Sequence, residues 1–501
     1  MAAGAGGGAG VAEPTILAVD LGTTAVKVGL IGPDGRVRAA TIETYPIDTD
    51  AATGAAEQDP ETWWAALVAA TRRARAEASS EAQGGGALEV AAICVVGQGP
   101  TLVAVDADGR ATHPAITWMD GRPGTEAAAL EEATGLSGWA LGVLPAARWL
   151  ERHGDPAAVA RTRWYLNAWE WAALRLSGTA TTTRSLGQEL PEIERVAAAG
   201  LSFQRLAPVV GVGSVLGRLT AAAAEALGIA EGAPVVAGPN DAFASFHGAG
   251  LLDAGDAVDT GGSSGGLAVY WDRPVDVPGA WVGHAPLADR WVVGGAMTAT
   301  GKALDWLAAS VIGGSVTPDS LIAEAAGVAP GSDGLLFLPY LAGERSPIWD
   351  PGARGAFVGL SLGHGRAHLA RAVLEAAALA LRHVAAPILA AGLRIDELVV
   401  TGGTARDDTW NRIKADILGL TVAVPAARET AVLGAAIIGA TAVGWHADVR
   451  AAIGAMVRID HRLEPDRALT ARYDALFEAY AALWPAIAPT VHSLHDLPRV
   501  K

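Results

Sequence analysis

The sequence is poor in several kinds of residue, and each shortage excludes a class of protein. The only cysteine, Cys94, allows no disulfide framework, and its apolar run Val90–Val96 predicts a buried core thiol. Every apolar stretch of membrane-spanning length is interrupted by charged residues, which favours a soluble cytoplasmic enzyme that does not bind membranes. The net charge of −16 argues against general nucleic-acid binding.

Several familiar ligand motifs are missing as well. The string nearest to a P-loop, Gly295–Ala303, has the wrong glycine spacing and no Ser or Thr after Lys302. The glycine-rich start follows no predicted strand, so it is no dinucleotide fingerprint, and residues 1–13 are predicted to form a disordered tail. No pair of histidines has the helical spacing of metal ligands with a partner acid.

Near its start, the sequence contains two predicted strands joined by a turn with glycine. Ile16–Val19 is apolar and leads into Asp20, the turn at Gly22 and the second strand Val26–Ile31. About 240 residues later the same order recurs, with Thr260–Gly266 as the turn between two apolar runs. In a chain of 501 residues, this recurrence favours two similar lobes, although chance glycine-rich turns are the alternative.

These turns have the chemistry of phosphate-binding loops. Gly22 lets the backbone approach a ligand closely, and Thr23 and Thr24 add hydroxyl groups beside their N–H groups. Asp20 is a candidate Mg²⁺ ligand, acting through coordinated water, and Lys27 adds a positive charge. An ordinary hairpin turn is the alternative interpretation.

Later segments offer similar groups. In the second turn, Gly262 permits close approach while Ser263 and Ser264 supply hydroxyl donors. Gly301 is a candidate close-approach glycine, with a plain helix start as the alternative. The adjacent glycines Gly402 and Gly403, between a strand and a helix, would let a planar ring lie on the backbone, with a simple connecting turn as the alternative.

Asp241 is the candidate catalytic base. It follows the apolar strand Pro234–Ala237 and precedes the second lobe, where a carboxylate could accept a proton from a hydroxyl that attacks a phosphoryl group. The alternative is an Asx-turn or helix-capping aspartate.

Taken together, the motifs resemble those of the FGGY family of carbohydrate kinases, and its xylulokinase members most of all. The similarity extends from about Thr15 to Gly444 and rests on six segments, Asp20–Thr24, Trp118–Arg122, Gly238–Asp241, Thr260–Gly265, Phe337–Arg345 and Gly402–Arg406. The string Phe337–Pro347 is the most specific of them.

The resemblance implies an α/β fold of two actin-like, ribonuclease H-like lobes with an interdomain cleft that takes ATP and Mg²⁺. It implies a sugar-side lobe over 14–247, a nucleotide-side lobe over 248–445 and a helical extension over 446–501. By this resemblance, Asp241 matches the catalytic base of the family, and Thr23 and Thr24 match its first phosphate loop. Gly301, Gly403 and Asp407 lie near the positions that bind the nucleotide. Ser263 stands where the family usually has Thr.

The acceptor side departs from the xylulokinase pattern. Gln98 is followed by Gly99 and Pro100 where those enzymes carry Met-His, and Asn167–Trp171 replaces their Pro-Lys-Asp-Tyr. The candidate acceptor-binding residues are Gln98, Gly99, Pro100, Trp118, Asp120 and Asp241. Space left by the missing side chains is expected to admit a different acceptor, with tryptophans stacking on it; refilling of that space by a neighbouring segment is the alternative.

The sequence therefore predicts a kinase that transfers the γ-phosphoryl group of ATP to a hydroxyl of a small ketose or polyol. One alternative is a weak or inactive sugar-binding regulatory protein that keeps the fold, which Asp241 argues against. A chaperone-like or filament-like actin-type ATPase is disfavoured by Phe337–Pro347. The sugar and the oligomeric state stay open, with a homodimer as one alternative.

Overall fold

The structure is a computed structural model, and it describes residues 13–81, 89–136, 138–183, 200, 203–285 and 287–495. The predicted tail, apart from Glu13, lies outside these residues. The strands are Pro14–Leu21 (β1), Ala25–Ile31 (β2), Val37–Thr44 (β3), Asp48–Asp50 (β4), Ala55–Gln58 (β5), Glu89–Gly97 (β6), Leu102–Val105 (β7), Ala115–Ile116 (β8), Trp164–Asn167 (β9), Thr182–Thr183 (β10), Val209–Val210 (β11), Val215–Arg218 (β12), Pro234–Asn240 (β13), Asp256–Thr260 (β14), Gly265–Trp271 (β15), Trp281–Ala285 (β16), Arg290–Met297 (β17), Leu336–Leu338 (β18), Ala356–Val358 (β19), Glu397–Thr401 (β20), Val422–Pro425 (β21) and Ile459–Leu463 (β22).

The α-helices alternate with these strands. They are Pro60–Glu81 (α1), Gly124–Thr134 (α2), Leu144–His153 (α3), Pro156–Arg161 (α4), Ala168–Ser177 (α5), Ala221–Leu227 (α6), Asp241–Gly248 (α7), Gly301–Trp306 (α8), Pro318–Ala325 (α9), Arg366–Ala390 (α10), Asp408–Leu418 (α11), Thr430–Ala442 (α12), Val449–Met456 (α13) and Arg467–His495 (α14).

The chain forms two compact units. The first contains Met1–Gly250, Ala285–Ala288 and Thr430–Val457, and the second contains Leu251–His284, Asp289–Glu429 and Arg458–Lys501. The sequence-based domains were continuous segments of the chain, whereas each of these units combines segments that are separate in sequence. The helices α12 and α13 belong to the first unit, where α12 packs on α7 and β1, and β22 is the edge strand of the sheet in the second unit.

The sheets of the two units share the topology of six strands, to which the second sheet adds the edge strand β16. In the first, the order is β12-β13-β6-β1-β2-β3, with β1, β2 and β3 antiparallel and with β6 and β13 parallel to β1. In the second, β14, β15 and β17 repeat the antiparallel part, and β20 and β21 repeat the parallel part. The recurrence predicted from two glycine-rich turns is confirmed as a recurrence of whole sheets.

The central strands are apolar because both of their faces are covered. Ile16–Val19 in β1 and Ile93–Val96 in β6 are fully buried, as expected for parallel strands with helices on both sides. Cys94 lies in this core, and burial raises the pKa of its thiol, so the prediction of a core cysteine is confirmed. Arg366–Ala390 is, among the described helices, long and apolar enough to span a membrane, yet 72% of its most apolar window is buried inside the protein.

The first unit depends on a close contact between α7 and α12. A Cβ atom built on Gly434 would overlap the carbonyl oxygen of Ala244, and one built on Gly248 would overlap the carbonyl oxygen of Thr430. The two helix backbones therefore touch, which fixes α7, the helix that begins with Asp241.

We expect Gly434→Ala to destabilise the protein by about 1–3 kcal/mol, the usual cost of overpacking, although Ala normally favours a helix over Gly. Gly454→Ala is the matched control, because Gly454 lies in α13 and a Cβ atom placed on it would meet nothing within 4 Å. The control should gain up to about 1 kcal/mol. Urea unfolding of both variants measures this, and equal gains in stability would contradict the close contact.

Candidate active site

Two aspartates lie at the same edge of the first sheet. Asp20 is near the end of β1 and Asp241 directly follows β13, and both strands run parallel to β6 between them. Because parallel strands end at one edge, the two carboxyl groups lie close enough for the charge of Asp20 to raise the pKa of Asp241. Ligands of open α/β sheets bind at this carboxyl edge.

Asp241 has the proton affinity of a general base. Burial is the largest cause that raises its pKa, to about 7, and the charge of Asp20 adds to it. The N–H of Ala242, 2.7 Å from Oδ1, and the ammonium of Lys27 act in the opposite direction. A base with a pKa near the working pH combines an available deprotonated form with useful basicity.

The capping role left open for Asp241 belongs mainly to its neighbour. Asn240 is the N-cap of α7, and its Oδ1 accepts a hydrogen bond of 2.8 Å from the N–H of Ala242. Asp241 is the first residue of the helix proper. Its carboxylate is therefore not needed as the cap, which favours the catalytic interpretation.

The first predicted phosphate loop is a tight turn that is stabilised by hydrogen bonds, including one from a residue outside the turn. The N–H of Gly22 donates to the carbonyl of Ala25 at 3.0 Å, and the Tyr45 hydroxyl donates to the carbonyl of Gly22 at 2.5 Å. A Cβ at Gly22 would lie 3.1 Å from the Ala25 oxygen, closer than almost all real contacts. Lys27 lies on β2 with its ammonium 3.4 Å from Asp20 Oδ2, so its charge is shared with that carboxylate.

Trp118 and two glutamines connect this loop to the acceptor residues. The indole N–H of Trp118, a residue that is 41% exposed, donates to Thr23 Oγ1 at 3.0 Å. Gln58 donates to the Thr23 carbonyl at 2.8 Å, and Gln98 donates to Gln58 Oε1 at 2.9 Å. The structure thus brings the predicted phosphate loop and the candidate residues Trp118 and Gln98 together in one hydrogen-bonded group.

Asp120 is held by other protein groups. Its Oδ2 accepts from the Ala56 N–H at 3.0 Å and lies 2.6 Å from the Arg122 guanidinium, which also pairs with Glu57. Burial raises the pKa of Asp120, but hydrogen bonds from Arg122 and Ala56 outweigh it, and the net shift is downward. Its contact with an acceptor stays a prediction.

The sequence predicted open space beside Gly99, but the structure shows this space filled by a tryptophan side chain. A Cβ at Gly99 would lie 2.6 Å from Cζ3 of Trp169, whose side chain is only 2% exposed. The indole N–H of Trp169 donates to Thr183 Oγ1 at 3.2 Å, and that hydroxyl also lies 3.3 Å from the Gly238 carbonyl. The expectation of vacated space is therefore wrong, because a large ring from α5 packs where residue 99 has no side chain.

In the second unit, the predicted nucleotide segments also touch one another. The N–H of Gly301 donates to the Gly262 carbonyl at 3.0 Å, and the N–H of Thr300 donates to the Ser263 carbonyl at 3.2 Å. A Cβ at Gly301 would lie 2.5 Å from the Gly262 oxygen. Glycine at these positions allows two backbone segments of the chain to touch. Gly301 is therefore a close-approach glycine, but the group it approaches is another backbone segment.

The third segment joins the same group. Gly402 has a φ of +75°, and a Cβ there would overlap the Gly261 carbonyl oxygen. Beside Gly403, by contrast, a Cβ would meet nothing within 4 Å, which leaves room for a planar ring. Asp407 is the N-cap of α11, with Oδ1 2.8 Å from the Thr409 N–H, and its contact with nucleotide stays a prediction.

Two residues of this region were missed from the sequence. Lys414 lies on α11, buried, in an ion pair with Asp259. Its spacing of four residues from the buried Trp410 is a signal that could have placed it on the core face. Glu344, within the specific string Phe337–Pro347, is buried and accepts hydrogen bonds of 2.8 Å from the N–H groups of Thr298 and Arg345.

Comparisons with known proteins agree with this geometry. Residues 15–248 match the N-terminal domain of the FGGY family of carbohydrate kinases, and residues 258–443 match its C-terminal domain. A xylulose kinase of Escherichia coli (strain K12) is 32% identical over 80% of this chain and 84% of its own. A gluconokinase of Bacillus subtilis (strain 168) is 29% identical over 86% of this chain and 88% of its own.

A solved structure gives the same result. The xylulose kinase from Rhodospirillum rubrum superposes with a TM-score of 0.81 and 30% identity, covering 95% of this chain and all of that one. The fold is the two-lobed actin-like fold, and the protein is an ATP-dependent sugar phosphotransferase. The chain belongs to the FGGY family of carbohydrate kinases.

We expect Asp241→Asn to lower kcat by about 10² or more, the scale of losing a positioned base. Asn keeps an oxygen for the Ala242 N–H, so folding and ADP binding should remain near those of the wild type. Steady-state kinetics and calorimetry with ADP measure the two effects. Turnover close to that of the wild type would remove Asp241 from the role of base.

Proposed function

We propose that this sugar kinase phosphorylates a neutral ketose or polyol, with Asp241 as the base that activates the acceptor hydroxyl. The observation that carries the proposal is the half-buried Asp241, whose pKa is raised to about 7, at the carboxyl edge of β13. A carboxylate of this basicity can accept the hydroxyl proton while the oxygen attacks the γ-phosphorus of ATP. The retained base argues against the inactive regulatory alternative.

Gln98 favours a hydroxyl group over a carboxylate group at the part of the acceptor that it contacts. Its Oε1 is buried and has no hydrogen-bond donor among the described residues, while its amide nitrogen is engaged by Gln58. A hydroxyl group of the acceptor supplies the donor that this oxygen lacks, whereas a carboxylate group at the same position does not. This distinction matters because both xylulose kinases and gluconokinases are among the relatives.

Sugar kinases of this family use ATP, typically with Mg²⁺. The buried carboxylate of Asp20 and the half-buried carboxylate of Asp241 repel each other, and together they are a donor set that fits a divalent cation. We assign Mg²⁺ to Asp20 through coordinated waters, where it would offset charge on the transferring phosphoryl group. Thr23, Thr24, Ser263 and Ser264 would orient the phosphates through hydroxyl and N–H groups.

An ADP-release assay over pentuloses, hexuloses, polyols and sugar acids tests the substrate class. We expect ketoses or polyols to exceed gluconate, and D-xylulose not to have the highest kcat/KM, because Gly99 and the engaged N–H of Trp169 provide no donor in place of the Met-His pair. D-xylulose as the best acceptor, with a KM below about 1 mM, would contradict the second expectation. Gluconate as the best acceptor would contradict the first.

Trp169 provides a second test of the acceptor side. Trp169→Leu opens the space beside Gly99, and it should change the order of preferred acceptors while leaving the KM for MgATP unchanged. Trp169→Phe is the intermediate variant, because it keeps a smaller aromatic ring on α5 and removes the indole N–H that donates to Thr183 together with the ring atoms nearest Gly99, so it should change the acceptor profile less. An acceptor profile that is the same in Trp169→Leu as in the wild type would exclude Trp169 from the acceptor wall.

A further inference from the structure

Asp259 occupies the position in the second sheet that Asp20 occupies in the first. Each is the next-to-last residue of the strand that begins its sheet's antiparallel part, β14 or β1. Asp259, however, is tightly paired. Its Oδ2 lies 2.6 Å from Nζ of Lys414 on α11, and both side chains are only 3% exposed.

Lys414 has a second partner. Its ammonium donates to Oγ1 of Thr404 at 3.0 Å, and Thr404 is itself buried in the turn after β20. One ammonium group therefore connects the end of β14 with the turn Gly402–Arg406. Asp259 and Thr404 are 145 residues apart in sequence, so the lysine joins two segments that the chain does not hold together locally.

The backbones of these segments are in direct contact around the lysine. The N–H of Thr404 donates to the Gly261 carbonyl at 3.0 Å, and the Thr401 hydroxyl donates to the Asp259 carbonyl at 3.2 Å. A Cβ at Gly261 would overlap Thr404 Oγ1. With no free space at this point, a shift of Thr404 is passed directly to the loop Thr260–Gly266.

Stability alone does not account for the ion pair. Removing two charges from water is costly, and replacing a buried pair with apolar residues of similar volume is often neutral or stabilising. The pair does cancel the charge of a carboxylate directly beneath a loop proposed to receive phosphate groups. It also fixes the spacing of the two segments with charge-assisted hydrogen bonds.

We propose that Lys414 is a positioning residue for the nucleotide. Through Asp259 and Thr404, it holds the loop Thr260–Gly266 and the turn Gly402–Arg406 at one spacing, so that the phosphates and the ring of ATP meet a preformed surface. The inference rests on the proposed function, since it takes these two segments as the nucleotide-binding ones.

The double variant Asp259→Leu/Lys414→Met is the main test, because removing only the lysine would leave a buried unpaired carboxylate and destabilise the fold. We expect its unfolding midpoint to stay near that of the wild type, while its Kd for ADP and KM for MgATP rise at least about tenfold, the scale of lost charge-assisted hydrogen bonds. The KM for the acceptor should be unchanged, as should kcat at saturating MgATP.

A second pair of variants isolates the contact with Thr404. Thr404→Val removes the hydroxyl that accepts from Lys414, and Thr404→Ser keeps it. Thr404→Val should weaken ADP binding and Thr404→Ser should restore it. Arg412→Met is the control on the same helix, since it removes an exposed positive charge two residues away and should leave ADP binding unchanged.

The outcomes separate this inference from the proposed function. Wild-type protein that binds no ADP contradicts the nucleotide role of both segments. If the wild type binds ADP, an equal affinity in the double variant or in Thr404→Val contradicts the role of Lys414. Equal rises in the KM for MgATP and for the acceptor, as a general loosening of the fold would give, also contradict it. If the double variant does not fold, the comparison of Thr404→Val with Thr404→Ser decides.

Discussion

The central constraint in this protein is the placement of two carboxyl groups at one edge of a buried sheet. Asp20 lies near the end of β1 and Asp241 directly follows β13, and both strands are apolar, so the two charges lie where the core ends. Burial and the charge of Asp20 disfavour the ionised form of Asp241 and raise its pKa. The close contact between α7 and α12 is one of the packing interactions that hold Asp241 there. Such a costly arrangement is common at functional sites.

The duplicated sheets show how one strand-end position can serve two purposes. In the first sheet Asp20 has Asp241 as a carboxyl neighbour and shares the charge of Lys27 on the adjacent strand. In the second sheet Asp259 is neutralised by Lys414, a residue of a helix far along the chain. The same backbone position is thus the proposed cation site in one unit, whereas in the other it forms an ion pair with a lysine that also contacts a second turn. Two sheets with the same strand topology can therefore place the same residue type at matching positions and surround it with different partners.

The sequence predicted the elements whose signals are local. Strand periodicity and glycine turns placed β1, β14 and the turn after β20. It did not predict that α12 would join the first unit, because that assignment depends on Gly434 meeting Ala244, almost 200 residues away. For the same reason it missed the filling of Gly99 by Trp169 and the pairing of Asp259 with Lys414. Each is a contact between side chains or backbones distant in sequence.

This difference explains why the reaction can be predicted more readily than the substrate. The proposed nucleotide segments are made largely of backbone groups, and a backbone that approaches another backbone or a ligand closely requires glycine, as at Gly261 and Gly402. That requirement leaves a pattern in the sequence. The acceptor side is made of side chains. There, a large tryptophan from one segment can fill the space beside a glycine in another, so that no cavity is left. Gly99 and Trp169 are such a pair, so a missing side chain in the sequence does not by itself mean an open pocket.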